Sequence, residues 1–207
     1  ELLFRPTMDA IFSSKASLVN DFYATASKSW HDTRDSLSYV LTDYWFKCSA
    51  QHMAGAYAAA GLQTFVYRFQ HLVSFAALFP TYGLPVVCET RTCHAAEVPF
   101  VFGNTANYSF AASEIPLSEQ MIAYWTAFAR TGDVNSREQT GVSRGGADRS
   151  TMHWPPFNRT ARLNMRLAVA TDRYGQGVES TTTGQPGTAP NTSGVCEFFD
   201  QQVGYNW

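Results

Sequence analysis

The run Leu37, Val40, Leu41, Tyr44, Trp45 and Cys48 places apolar residues three and four apart, begins at Ser36, continues through alanine-rich residues 53–60 and stops at Gly61. That spacing predicts a long amphipathic helix with a glycine end signal. A stripe of this length must be buried against a core. The 207 residues, 45% of them hydrophobic, are enough for one domain around a sizeable core. Directly afterwards, residues 63–70 contain Thr-Phe-Val-Tyr-Arg-Phe, β-branched and aromatic and too short for a helix, and read as a strand.

Further elements follow by the same reasoning. Residues 15–28, with Leu18, Val19, Phe22 and Tyr23, predict a helix. Leu117, Met121, Tyr124, Trp125 and Phe128 share one helical face, and Thr131-Gly132-Asp133 ends it. Leu163, Met165, Leu167 and Val169 alternate with Asn164, Arg166 and Ala168, as in a half-buried strand. Residues 84–103 hold Pro85, Pro99 and two close cysteines and are expected to be mainly loop. Residues 135–150 and 175–194, dominated by Ser, Gly, Arg, Thr and Pro, are expected to be flexible inserts. No internal repeat is visible.

Charge and composition exclude several classes. Fifteen Lys and Arg against 17 Asp and Glu leave a formal charge of -2 and no dominant basic surface, which argues against nucleic-acid binding. The apolar stretches near 54–62 and 73–79 fall short of the roughly 20 residues that cross a bilayer. Fifteen Phe, ten Tyr and five Trp are too aromatic for a chain disordered throughout. Four cysteines and three Asn-x-Ser/Thr triplets, at Asn107, Asn158 and Asn191, point to an oxidising, secretory compartment. The opening Glu1-Leu-Leu-Phe-Arg-Pro lacks the pattern of a signal peptide, so any such signal is expected upstream or removed. Metal binding is disfavoured: Cys88 and Cys93 have a spacer that could suit zinc, but Cys48 and Cys196 stand alone without a second pair.

Two stretches carry possible chemistry. Gly141-Val-Ser143-Arg-Gly145 matches the serine-hydrolase elbow G-x-S-x-G, but its flanks are polar and offer neither the buried strand nor the helix that the elbow requires. It reads as a chance match. The stronger signal is the run from Cys93 and His94 through Glu97, Pro99 and Phe100 to Gly103. A histidine alone is usually structural. Here it lies in a proline-stiffened loop that a bridge between the close cysteines would stiffen further, with a carboxylate three residues on. A fixed imidazole is what general-base chemistry needs. The other histidines are less suited: His52 lies in a helix, His71 ends a strand, and His31 and His153 sit in polar turns.

The run from His94 to Gly103, the helix from Leu117 to Asp133, the Trp154-Pro155 pair and the late Cys196-Glu197-Phe198-Phe199-Asp200 resemble, in order and spacing, the C-terminal portion of the type-B carboxylesterase and cholinesterase family. The resemblance covers roughly residues 36–200. It implies the C-terminal part of an α/β-hydrolase fold, with late sheet strands, covering helices and the catalytic-histidine loop. It further implies His94 as triad histidine, Glu97 as its buried supporting acid, a Cys48–Cys196 bridge, and a local Cys88–Cys93 bridge. No cofactor is implied.

In that fold the triad runs Ser, acid, His along the chain, and no elbow precedes His94. The nucleophile is therefore expected upstream or on another polypeptide. The acid is expected just upstream too, with Glu1 carried as a lesser candidate. The expected partners are the N-terminal part of the same hydrolase, as a continuous or separately cleaved chain, and a small ester substrate. The rival expectations are a non-catalytic cholinesterase-like adhesion or binding domain and an autonomous secreted α/β domain without a triad.

Overall fold

The computed structural model describes residues 4–27, 33–82, 86–136, 152–169, 176–180 and 194–205. Glu1, His31, Ser143 and Asn191 lie outside them, as do most of the two expected inserts. The chain divides into two units: residues 1–64, 157–162 and 180–207 form the first, and residues 65–156 and 163–179 the second.

The first unit is helical. Helix α1 (Phe4–Phe12) passes through a 3-10 turn into α2 (Ala16–Ser27). The sequence expectation covered only the second, because α1 carries just two buried residues, Met8 and Phe12, over nine. The expected long helix is present as an unbroken helical run: α3 (Thr33–Leu41), a π-helical stretch Thr42–Cys48, and α4 (Ser49–Ala59). The Ser49 hydroxyl donates to the Trp45 carbonyl at 2.6 Å, which supplies a partner to that carbonyl within the run. The last helix, α7 (Val195–Phe198), also continues as a π-helical stretch, Phe199–Val203.

Met8, Phe12, Val19, Tyr44, Phe198 and Phe199 meet in this unit's core. Cys48 and Cys196, both buried there, are bonded across 148 residues of sequence. At the polar edge of the core, the Tyr23 hydroxyl donates to buried Asp43 at 2.8 Å. Burial and then the Asp43 charge push the Tyr23 phenol far above its ordinary range.

The second unit holds a three-stranded sheet of order β1-β2-β3, made by β1 (Tyr67–Phe69), β2 (Leu163–Leu167) and β3 (Gly177–Ser180). β1 and β2 are parallel, with Tyr67 opposite Met165 and Phe69 opposite Leu167. A parallel pair needs a crossover connection, and the intervening chain includes α5 (Val98–Val101) and α6 (Ile115–Thr131). Gly132 ends α6 as expected, in the left-handed conformation (φ 77°) that glycine adopts without a Cβ clash.

Two expectations need correction. β1 is only three residues of the predicted eight. Just before it, the Thr64 carbonyl turns to the Phe157 amide, while the Val66 carbonyl still accepts from the Met165 amide of β2 and also from the Trp154 indole. β3 lies within 175–194, which polar composition alone had suggested was irregular. The described part of the 84–103 segment is mainly turn and loop, as expected, with a short 3-10 stretch, Val86–Glu89, and α5, where Pro99 occupies a first-turn position that needs no N–H donor. In the 135–150 stretch, Asn135 bridges Trp154 through both its amide oxygen (2.8 Å) and its amide nitrogen (2.9 Å).

A buried polar cluster joins the chain just beyond β1 to the start of α6. His71 is 4% exposed and Glu114 1%. Glu114 Oε1 meets His71 Nε2 at 2.8 Å and accepts from the Ser74 amide at 2.7 Å; Oε2 accepts from the Ser74 hydroxyl at 2.5 Å and the Ala111 amide at 2.8 Å. Burial alone would raise this carboxyl's pKa. The four hydrogen bonds outweigh it and hold Glu114 below the ordinary glutamate range.

Two predictions follow from these bonds. In the chain-entropy account a bridge spanning 148 residues stabilises by about 5 kcal/mol and one spanning five by about 2 kcal/mol. Replacing Cys48 and Cys196 by serine should therefore lower the urea midpoint clearly more than replacing Cys88 and Cys93; equal losses would contradict this. Because the folded pKa of Glu114 is depressed, its stabilisation is fully present above the unfolded glutamate pKa and is lost as pH falls through the folded one. Glu114→Gln should flatten the acid limb of a plot of stability against pH, and an unchanged limb would contradict the assignment.

Candidate active site

His94 stands exposed at the second unit's surface, immediately after Cys93, which is bonded to buried Cys88. A five-residue separation makes this bridge a local clamp on the approach to the histidine. The residue after it, Ala95, takes a left-handed backbone (φ 68°). That conformation disfavours any side chain with a Cβ by about 1–2 kcal/mol. Strain of this kind persists only where the surroundings over-determine the backbone. Here they do: Ala96 N–H donates to the Cys93 carbonyl, Val98 N–H to that of Ala95, and Phe100 and Val101 N–H to that of Glu97. The turn thus passes directly into α5, whose Phe100 is fully buried.

Glu97 was expected to be buried and is only half-buried, because it sits at the surface entry to α5 rather than in the core. Its Oε1 accepts a long hydrogen bond, 3.4 Å, from the hydroxyl of Tyr67 on β1. Burial, and then the Glu97 charge, push the Tyr67 phenol up to about 12, so it stays a neutral donor at physiological pH. At the far end of the run Gly103 has φ 65°, and a Cβ there would come within 3.1 Å of Ile122 Cδ1 on α6. Glycine permits both the turn and the close approach.

Behind this loop lies an aromatic wall. Phe100 packs on Phe69, His71 and Phe110, with ring centroids 5.2, 5.7 and 4.4 Å apart. The Ser118 hydroxyl of α6 donates to the Phe100 carbonyl at 2.8 Å. Trp154, buried among Phe65, Tyr124 and Trp125, donates its indole N–H to the Val66 carbonyl at 3.1 Å. The histidine is therefore carried on a well-anchored base while its own side chain is exposed.

The structure brings His94 and Glu97 onto one turn and anchors Glu97 through Tyr67. Glu1, the lesser triad-acid candidate, and the Ser143 motif lie outside the described residues. Both predicted disulfides, Cys48–Cys196 and Cys88–Cys93, are present. Asn107 and Asn158 are exposed, and Asn191 is outside the described residues. Among the described residues no group of three His, Cys, Asp or Glu side chains could hold a metal ion, and no helix is long and apolar enough to cross a membrane.

The His71, Ser74 and Glu114 cluster had no part in the sequence expectation. An acid beside a helix start is an ordinary dipole partner, and nothing in a linear pattern shows its carboxylate turning back onto a histidine 43 residues earlier.

Comparison with known proteins gives the family. The carboxylesterase family model matches residues 11–183. The chain is 28% identical to acetylcholinesterase 1 of Caenorhabditis briggsae over 154 residues, covering 73% of this chain and 22% of that protein. It is 31% identical to the medium-chain fatty acyl-CoA hydrolase precursor of Anas platyrhynchos over 152 residues, 72% of this chain and 24% of that one. With acetylcholinesterase of Gallus gallus it shares 32% identity over 140 residues, 64% of this chain and 16% of that protein. The chain thus spans less than a quarter of the length of these relatives. On the extent of the family match, this chain belongs to the carboxylesterase family.

Proposed function

We propose that the chain is the histidine-bearing, C-terminal part of an α/β-hydrolase that cleaves carboxylic esters through a serine nucleophile. The observation that carries this reading is His94 itself: an exposed imidazole on a disulfide-clamped, left-handed turn, inside the family match. The relatives named as cholinesterases and as an acyl-CoA hydrolase support ester-type chemistry. The parallel β1–β2 pair, with β1 at one end of the sheet order among the described residues, supports a sheet continued by chain outside this segment. Val98 and Phe102, 42% and 73% exposed, give the histidine loop an apolar surface suited to cover by that missing part or by substrate.

In the assembled enzyme the serine Oγ attacks the ester carbonyl while His94 takes its proton. The tetrahedral intermediate collapses, and the imidazolium returns that proton to the leaving alcohol. Water then repeats the sequence on the acyl-enzyme. Glu97 supports the turn from the side, and the triad acid and oxyanion donors come from the upstream part. Two disulfides fit an oxidising compartment and so a secreted protein, with Asn107 and Asn158 accessible to glycosylation.

His94→Ala in the complete hydrolase should lower kcat/KM for a simple ester by at least about 10⁴-fold. Glu97→Gln should lower it by only about tenfold, the scale of one hydrogen-bonded charge. Ester hydrolysis that survives His94→Ala would exclude the proposed role, and absence of any esterase activity in the folded wild type would favour a binding domain instead.

A further inference from the structure

We propose that the buried pair His71 and Glu114, held from the surface by Ser74, acts as a positioning unit for the loop that carries His94, reaching it through Thr92 on one flank and Phe100 on the other. This rests on the reading of His94 as the catalytic histidine. Neither His71 nor Glu114 is open to substrate, so the pair does not itself do chemistry. A pure packing role would also be unusual, since apolar residues of similar volume fill such a space at equal or better stability. What the polar set supplies is direction.

The geometry shows how. Glu114 Oε1 meets His71 Nε2 at 2.8 Å, and Ser74 locks the carboxylate from the other side by its amide and hydroxyl. The imidazole is thereby fixed in a T-shaped contact with the Phe100 ring, centroids 5.7 Å apart at an interplanar angle of 84°. The backbone carbonyl of the same histidine accepts from the Thr92 hydroxyl at 3.3 Å. Thr92 lies two residues before His94, and Phe100 lies in α5 just beyond the turn. His71 therefore holds both ends of the segment on which the left-handed Ala95 is imposed. Tyr67, on the strand that leads to His71, holds the middle of that segment through Glu97. Three ties from one stretch of chain converge on the loop, and the buried carboxylate of Glu114 fixes the imidazole that makes one of them, the contact with Phe100. A shift of about 1 Å in a reacting group can cost a hundredfold in rate, so such ties matter for turnover beyond their effect on folding.

The test uses the complete hydrolase with active sites counted by end-point fluorophosphonate titration, so that turnover is read per competent site. Thr92→Val deletes only one tie. It should lower kcat per site by about tenfold at unchanged KM and melting temperature, with Thr92→Ser restoring the rate. Glu114→Gln should lower per-site kcat by a similar or larger factor, again with little change in KM. Unchanged per-site turnover in both Thr92→Val and Glu114→Gln, whether or not the number of folded sites falls, would show a structural role only and overturn the proposal. His94→Ala run alongside separates the two claims: if it abolishes turnover while neither Thr92→Val nor Glu114→Gln alters it, the positioning role alone fails. If His94→Ala leaves turnover intact, the catalytic reading fails and this inference falls with it.

Discussion

The parallel pairing of Tyr67–Phe69 with Met165–Leu167 is the contact on which the second unit depends. It joins segments separated by nearly half the chain, so the chain between them must make a crossover to return to the same end of the sheet. Its register places Tyr67 where the hydroxyl reaches Glu97 and leaves the chain beyond Phe69 to run into His71 and the buried carboxylate of Glu114. The Val66 carbonyl, shared between the Met165 amide and the Trp154 indole, ties the strand to the aromatic wall behind it. The histidine loop is hung from this strand, and its orientation is inherited from the pairing.

Two disulfides act on different scales. Cys48–Cys196 links the long helical run to the last helix within the first unit and restricts a very long loop of the unfolded chain. Each of these helical segments has a π-helical stretch next to its cysteine, a feature that often marks functional or strained positions. Cys88–Cys93 closes a loop of a few residues and contributes less through chain entropy. Its consequence is local, because the backbone leaving Cys93 enters His94 and the left-handed Ala95 at once.

The elements legible in the sequence were those with many apolar repeats and a defined stop. The long helix and α6 met both conditions, with Gly132 closing α6. Helix α1 was too short to show a period, and β3 was hidden by the polar composition around it. The two cysteine pairings came from family resemblance and are present, and the chain's place in the carboxylesterase family was legible from the same landmarks. The burial of Glu97 was expected from the family resemblance alone, whereas its place at the entry to a short helix leaves it half-buried here. The Glu114 cluster was beyond reach for a different reason. Its partners His71, Ser74 and Ala111 meet only in three dimensions, and each is unremarkable alone.

The account gives catalytic meaning to one exposed side chain on a heavily anchored turn, with the reacting serine supplied from outside this segment. Its central claim is most directly tested by a crystal structure of the complete hydrolase after reaction with a fluorophosphonate. The expected result is a phosphonylated serine upstream of residue 1 or on a second polypeptide, with a ring nitrogen of His94 within about 3.2 Å of the serine oxygen or directly linked to it by one water. A labelled serine served by a different histidine, or label on Ser143, would contradict it.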